Sequence, residues 1–501
     1  MIINFIATAR GAAAADEPSA EELAAWLATL PMHDPSGAAR LLIERLVTLN
    51  RRPQGARGRV RLLDMLRERV ETLVPRLDRN LAGAALPLAP PLRETAYLIE
   101  KLLKELGAGY AAAVTQTPRA WLAFGLKRQI QAPLAHAIDL AARRLALTHR
   151  LYARSPGGIW AELHLLYGLA RELALDQREP EPAGRSPAVA YRDALLIAFA
   201  EPARLMSGEL ALVQDYLARF GSLAELVDAA PDAKPRGVFV IDPRRDRPGV
   251  AAAKRKEGDD APGARFLVTR ALVERIESQF VRLQSGVSPD TLGLPESARS
   301  VAYRALMRRL AANWRGDKRR RSARLRFHPR VDVQFGLGEA WDALGSASPC
   351  APARTASEWV IANESAAGFA LRLMSGAAGQ VAVGDVVLVR SRERGRHYLC
   401  MVRRVVSNNP DHLEIGLQQL APRVHAAVAT LEPGGRGEAL KVLFCPALPA
   451  RNQPAMLVVA DGARRSRREL YLKRAQGLAP VRVQRVAERT TAVELLEIGA
   501  A

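Results

Sequence analysis

A chain of 501 residues exceeds what one hydrophobic core usually organises, so several domains are expected, and a hydrophobic fraction of 49% is enough for ordinary globular cores. The 73 Lys and Arg outnumber the 52 Asp and Glu, a formal charge of +21 that favours anionic partners such as nucleotides, nucleic acid or an anionic lipid surface. Arginine and alanine are abundant throughout, as a GC-rich coding sequence would make them, so charge alone assigns no partner. Three cysteines, Cys350, Cys400 and Cys445, lie far apart without C-x-x-C spacing. That argues for reduced thiols in the cytoplasm and against zinc or disulfides. The run from Met1 to Ala9 is apolar but too short for a signal-peptide core, and no positive charge precedes it. No apolar stretch approaches the roughly 20 residues needed to span a bilayer. A cytoplasmic protein without membrane insertion is expected.

From about residue 17 to 230 apolar positions recur at helical spacing. In Ala38–Leu49, Leu42, Leu46 and Leu49 form a stripe that one helix face can bury. Further helices are predicted over Arg61–Leu77, Pro91–Leu106, Thr117–Gln129, Ala135–Ala153, Gly158–Leu175, Ala188–Met206 and Gly208–Phe220, with prolines and glycines punctuating them. The expected form is an all-α helical array over residues 1–235, stacked pairwise as in a tetratricopeptide solenoid, although no fixed repeat period appears. Trp160, Leu163, His164 and Tyr167 lie on one helical stripe, either a buried face or the lining of a groove for a partner peptide; the buried face is the simpler reading. His136 and His149 have no partner at metal-ligand spacing, and no metal site is expected.

Residues 236–314 read as a connector followed by helices. Gly237-Val-Phe-Val-Ile-Asp242 suits a buried strand, and a turn and a polar stretch follow it; helical pattern returns in Leu267–Leu283 and Ser297–Trp314. After residue 325 strands dominate, over Val331–Phe335, Glu358–Ala362, Gly368–Leu373, Asp385–Ser391, Tyr398–Ser407 and Leu413–Leu420, a set suited to a small six-stranded barrel. A further small β-unit is predicted over 426–501, with strands at Ala439–Leu448, Ala455–Ala460, Glu469–Lys473, Val481–Ala487 and Ala492–Ile498, packed against the first. The fold class is therefore multidomain α + β.

The most specific feature spans both sides of residue 330. Lys318-Arg319-Arg320-Arg321-Ser322-Ala323-Arg324-Leu325-Arg326-Phe327-His328-Pro329-Arg330 leads directly into the strand at Val331, and Asn363-Glu364-Ser365-Ala366-Ala367-Gly368 follows between two later strands. An R-x-x-x-R segment entering a strand, followed by N-x-S-x-x-G, resembles the two-part signature of the PilZ family. The resemblance covers about residues 315–425 and implies a six-stranded antiparallel β-barrel that binds cyclic di-GMP. Two registers fit the first motif: Arg320 and Arg324, with Arg319 completing a doubled arginine, or Arg326 and Arg330. The resemblance gives ligand-binding roles to these five arginines and to Asn363, Ser365 and Gly368. A cluster of this kind also places positive charge at the C-terminus of the preceding helix, where it is favourable in its own right.

The chemistry agrees with that resemblance. A guanine dinucleotide presents two phosphates and two Hoogsteen edges, and the planar arginine fork binds either bidentately and stacks on bases. Asn363 and Ser365 supply an amide and a hydroxyl for a guanine, and Gly368 is read as room for close backbone approach. The segment between Phe335 and Glu358 is longer than the compact family pattern and is read as a cover or extension of the pocket. No P-loop, G-x-S-x-G or zinc-deaminase pattern occurs, and no acidic cluster sits in an apolar setting, so no enzyme and no cofactor are expected.

The leading reading is a cyclic di-GMP receptor that couples ligand binding to a protein partner on the helical domain, with motility, adhesion or exopolysaccharide outputs implied by the family. A second reading is a non-enzymatic scaffold or nucleic-acid-binding adaptor whose barrel is degenerate. Sparse aromatics, 5% of the chain and not interleaved with the basic cluster, count against it.

Overall fold

A computed structural model describes residues 19–500 apart from 53–54, 82, 118–126, 180–183, 232–235, 255–261, 317–328, 346–356, 366, 377–378, 393–394, 409–411, 433–437, 450–452, 465–466 and 475–476. Helix α1, Ala20–Ala28, starts on a capping box: Glu22 N donates to Ser19 Oγ and Ser19 N to Glu22 Oε2, both at 3.0 Å. Helix α2, Pro35–Arg51, buries Leu42, Leu46 and Leu49 as their spacing predicts. Helices α3, Ala56–Asp78, and α4, Pro90–Thr115, follow. Helix α5 runs through Pro133 over Lys127–Arg150, where the predicted Thr117–Gln129 and Ala135–Ala153 helices left a break; residues 118–126 of the first lie outside the described residues. Proline in the second turn removes one intrahelical bond, and the buried face from Ile130 to Leu147 outweighs that loss.

Cross-helix contacts define how these helices stack. Arg57 Nε donates to Gln129 Oε1 (2.7 Å), Arg143 Nη1 to Glu71 Oε1 (2.6 Å) and Arg150 Nη1 to Asp78 Oδ2 (2.6 Å), each pair 72 residues apart. A constant offset in one direction means that α3 and α5 run parallel. Likewise Arg40 reaches Glu94 and Asn50 reaches the Glu105 carbonyl, at offsets of 54 and 55, so α2 and α4 are parallel. Alternate helices thus form two layers, a solenoid-like stacking whose unequal offsets explain why no repeat period is readable in the sequence.

Helices α6, Ile159–Glu172, α7, Pro187–Phe199, and α8, Glu209–Phe220, complete the array. Trp160, Leu163, His164 and Tyr167 are all at most 2% exposed, and Tyr167 stacks on Tyr191 at 4.1 Å, so the stripe is core and lines no partner groove. His164 is held between the Tyr191 hydroxyl (2.6 Å) and the Arg247 carbonyl (2.9 Å).

The stretch expected as a connector is a four-stranded antiparallel sheet of order β1-β4-β2-β3, from Glu225–Val227 (β1), Val238–Ile241 (β2), Val250–Ala251 (β3) and Arg265–Val268 (β4). Strand β1 falls inside the block predicted to be all helical, and β4 takes the first residues of the predicted Leu267 helix. Strands of two to four residues carry too few side chains to show a period. Between β2 and β3, the Asp246 carboxylate accepts from the backbone N–H groups of Gly158, Trp160 and Ala161, capping α6 and clamping the sheet to the array. Helices α9, Arg270–Gln284, and α10, Val301–Arg315, close the unit, with Trp314 fully buried and its Nε1 donating to the Leu196 carbonyl.

Two closed six-stranded antiparallel barrels follow. The first, of order β10-β7-β6-β5-β8-β9, uses Arg330–Phe335 (β5), Glu358–Ser365 (β6), Gly368–Ser375 (β7), Val386–Ser391 (β8), His397–Asn408 (β9) and His412–Ala421 (β10), one for each predicted strand. The second, of order β11-β12-β13-β16-β15-β14, uses His425–Thr430 (β11), Leu440–Cys445 (β12), Met456–Ala460 (β13), Glu469–Arg474 (β14), Gly477–Arg489 (β15) and Val493–Ala500 (β16). Strand β11 was not foreseen, since His-Ala-Ala-Val-Ala-Thr is alanine-rich and lacks a β signature. Cys400 and Cys445 are buried, one in each barrel, and burial pushes both thiols up to about 12; Cys350 lies outside the described residues. Among the described residues no helix is long and apolar enough to cross a membrane.

The segment read as a pocket cover contains a helix, α11, Leu337–Gly345, that packs against the second barrel. Trp341 Nε1 donates to the Ala427 carbonyl (2.7 Å), and Lys441 Nζ sits 4.6 Å over the Trp341 ring and 2.7 Å from Asp342. Residues 346–356 of that segment are outside the described set. The described part of the insertion is therefore a joint between barrels. Trp341→Ala should destabilise the second barrel by about 2 kcal/mol, seen as an earlier denaturant transition and faster proteolysis near residues 422–424.

His149 provides a pH signature. Burial, with no partner for its Nε2 among the described residues, lowers its pKa to about 4, so the folded protein holds it neutral. The unfolded chain binds that proton below about pH 6.5, so this contribution is complete above that pH and is lost as pH falls toward 4, at about 1.4 kcal/mol per unit at most. His149→Gln should flatten the acid limb of a stability–pH curve; an unchanged limb would show that other groups set it.

Candidate functional site

The N-x-S-x-x-G segment is the β6–β7 hairpin. Ser365 pairs with Gly368 across a two-residue loop, Glu364 with Phe369 and Asn363 with Ala370. Alternation by itself would put Asn363 inside the barrel, because Trp359 and Ile361 are core residues and Asn363 shares their parity. A bulge between Ile361 and Asn363, at Ala362, shifts the parity by one. Asn363 and Ser365 are thereby turned to the outer face, in step with Ala370 and Gly368, whose strand buries Phe369 and Leu371 inward.

The same face receives the arginine motif's last residue. Arg330 is in register with Val360, Val360 with Arg372, and Arg372 with Glu414, so these four form one row across β5, β6, β7 and β10. The neighbouring row runs Asn363, Ala370, Gly416 and Arg404, about 7 Å further along the strands. Ile361 N donates to the Pro329 carbonyl at 3.1 Å, so the chain enters the barrel beside the bulge and two residues from Asn363. Arg319, Arg320, Arg324 and Arg326 lie outside the described residues, which leaves both registers of the first motif open.

Electrostatics on this face are balanced by pairing. Arg330 Nη1 lies 2.7 Å from Glu358 Oε1, with two-thirds of its side chain exposed (66%). Glu358 also meets Arg392 at 3.5 Å and accepts from Ser375 Oγ at 3.3 Å. Arg404 pairs with Glu414 at 2.8 Å, and Arg403 forks onto Glu488 of the second barrel. An exposed pair of the Arg330–Glu358 kind is worth little, so an incoming phosphate can take the arginine from its carboxylate at small cost. The Asn363 amide is half-buried and makes no hydrogen bond to any described residue, so it does not serve the self-bonded turn that an isolated Asn would favour. Ser365 Oγ reaches the Gly368 carbonyl at 3.3 Å, a long contact that a better acceptor would replace.

Gly368 is also required by the barrel itself. Its φ is +155°, and a Cβ there would stand 1.9 Å from the Leu417 carbonyl oxygen of β10. The backbone that approaches so closely is the barrel's own, and β7 and β10 cannot close with a side chain in that place. Arg372 and Arg404, which share this face, were missed because neither belongs to a spaced motif. The alternation of Gly368-Phe-Ala-Leu-Arg372, apolar residues inward, was the one signal that could have placed Arg372 on it.

Away from the barrel, a groove of about 1160 Å³ lies between the start of α3, the end of α4 and the start of α5, with Arg57, Arg61, Asp64 and Glu68 on its α3 side. Comparison with known proteins bears on that half of the chain. The family model described as the N-terminal domain of the cyclic-di-GMP receptor FimW matches residues 21–232, which are the helical array and its first strand. The cyclic-di-GMP receptor FimW of Pseudomonas aeruginosa is 28% identical over 236 residues, 44% of this chain and 37% of that protein, so most of the relative's length lies outside the match.

Gly368→Ala should cost at least about 2 kcal/mol and lower the melting temperature by several degrees, whatever binds at this face. Ser365→Ala should cost about 1 kcal/mol or less. Thermal unfolding followed by circular dichroism separates the two.

Proposed function

We propose that this protein is a cytoplasmic, non-enzymatic receptor for cyclic di-GMP, which binds on the outer face of a PilZ-like first barrel. The observation that carries the reading is the bulge at Ala362, which turns Asn363 and Ser365 onto the face where Arg330 enters. Arg330 and the Asn363–Gly368 segment are distant in sequence, and a ligand that both hold requires them on one face, which a chance hexapeptide would not need. The similarity of residues 21–232 to the N-terminal domain of a cyclic-di-GMP receptor supports the same assignment from an independent part of the chain.

In this reading guanidinium groups from the arginine segment and from Arg330 hold phosphate and guanine, while Asn363 and Ser365 address a second base edge. Arg330 exchanges Glu358 for the ligand. The signal passes to a protein partner on the helical array, because helices and first barrel share one apolar core: Ser407 N donates to the Tyr152 carbonyl, and Val381 N to that of Leu86. An event at the barrel mouth therefore works against a packed interface.

Isothermal titration of the purified chain with cyclic di-GMP, with GTP as control, tests the proposal. Saturable binding is expected, with affinity falling about tenfold or more in Asn363→Ala/Ser365→Ala. Arg320→Ala/Arg324→Ala and Arg326→Ala/Arg330→Ala, compared side by side, decide the register. An absence of saturable heat at high ligand would overturn the reading. A nucleic-acid adaptor would instead bind oligonucleotides with a steep salt dependence.

A further inference from the structure

We infer that Arg372 is a phosphate-contacting residue of this same face, outside both motif segments; the inference rests on the receptor reading above. Three observations meet at this side chain. Register places it in one row with Arg330, across Val360, and Ala370 beside it pairs with Asn363, so it shares the outer face of both, two strands from Arg330 and on the strand next to Asn363. It is exposed on a strand whose alternate residues fill the core. It also has no carboxylate partner or hydrogen bond among the described residues, whereas Arg330, Arg403 and Arg404 around it are engaged by Glu358, Glu488 and Glu414. Glu414, its neighbour in register on β10, is paired with Arg404, so among the described residues Arg372 has no ion pair of its own.

An arginine with no such ion pair, beside half-buried polar groups, is suited to an anion that arrives from solution. A guanidinium offers a phosphate two parallel N–H donors without first giving up an ion pair, so its whole gain goes into binding. A two-phosphate ligand spanning the row from Arg330 needs a second cation at about the spacing that Arg372 provides. Because its side chain makes no hydrogen bond or ion pair to a described residue, its removal should leave stability nearly unchanged.

The test is titration of cyclic di-GMP into wild type, Arg372→Ala, Arg372→Lys and, as a control on the second barrel, Arg482→Ala, at several salt concentrations. Arg372→Ala is expected to weaken binding about tenfold, to flatten the dependence of affinity on salt and to leave the melting temperature unchanged. Arg372→Lys should recover part of the affinity, since it keeps the charge and loses the fork, and Arg482→Ala should bind as wild type does. Should Arg372→Ala bind as wild type while Asn363→Ala/Ser365→Ala is weakened, the inference fails and the receptor reading stands. Should wild type itself not bind, both fail. Equal weakening by Arg372→Ala and Arg482→Ala would reduce the effect to net charge and overturn the specific contact.

Discussion

The β8–β9 hairpin is buried on both of its faces, and the arrangement of the C-terminal half depends on that constraint. Val387, Val389, Cys400 and Val402 point into the first barrel, in a core continuous with the helical array, while Val386, Leu388, Leu399 and Met401 point outward against Leu443, Met456, Val458 and Leu495 of the second. Each such side chain contributes about 1.5–3 kcal/mol by leaving water. Neither barrel can turn relative to the other without exposing one of these faces. Helix α11 fills the remaining gap, and the Arg403–Glu488 pair crosses it.

With that side of the first barrel sealed, the outer face that carries Asn363, Ser365 and Arg372 lies across the barrel from it, on β6 and β7. Arg330 stands beside it on β5, and on β6 the Ala362 bulge turns the Asn and Ser outward. A bulge is a device for re-aiming side chains at a cost to the ladder, and this one changes which residues meet solvent without altering the sequence. The face also shows a division of labour among cations. Most of its arginines are held by carboxylates, which keeps a strongly basic chain from presenting a uniform positive surface, and the exposed Arg330–Glu358 pair can be exchanged.

Much of the architecture was legible along the chain. The six strands of the first barrel were readable because alternating apolar residues and turn residues bound each of them, and the long helices because their apolar stripes run for several turns. The helical stripe at Trp160 was readable as core for the same reason. The four-stranded sheet was only glimpsed through β2, since the burial of Val238–Ile241 gives a continuous apolar run whereas β1 and β3 are too short for any pattern. Strand β11 was hidden by alanines, which take their conformation from the neighbours they pair with. Within the site, the close approach of Leu417 to Gly368 was not legible: sequence registers that a side chain is absent, and only the partner strand shows which backbone lies in its place.

Composition and periodicity were enough to determine an α + β chain with helices first and barrels last, and the resemblance of two short segments to a known family drew attention to residues 315–425. These are local properties, carried by residues within a few turns or strands of one another. Which face Asn363 points to, that Arg330 is paired with Glu358, that Arg372 has no partner among the described residues, and that the described part of the long insertion joins barrels were all decided in three dimensions. Each depends on register between strands distant in sequence, and a single bulge reverses it.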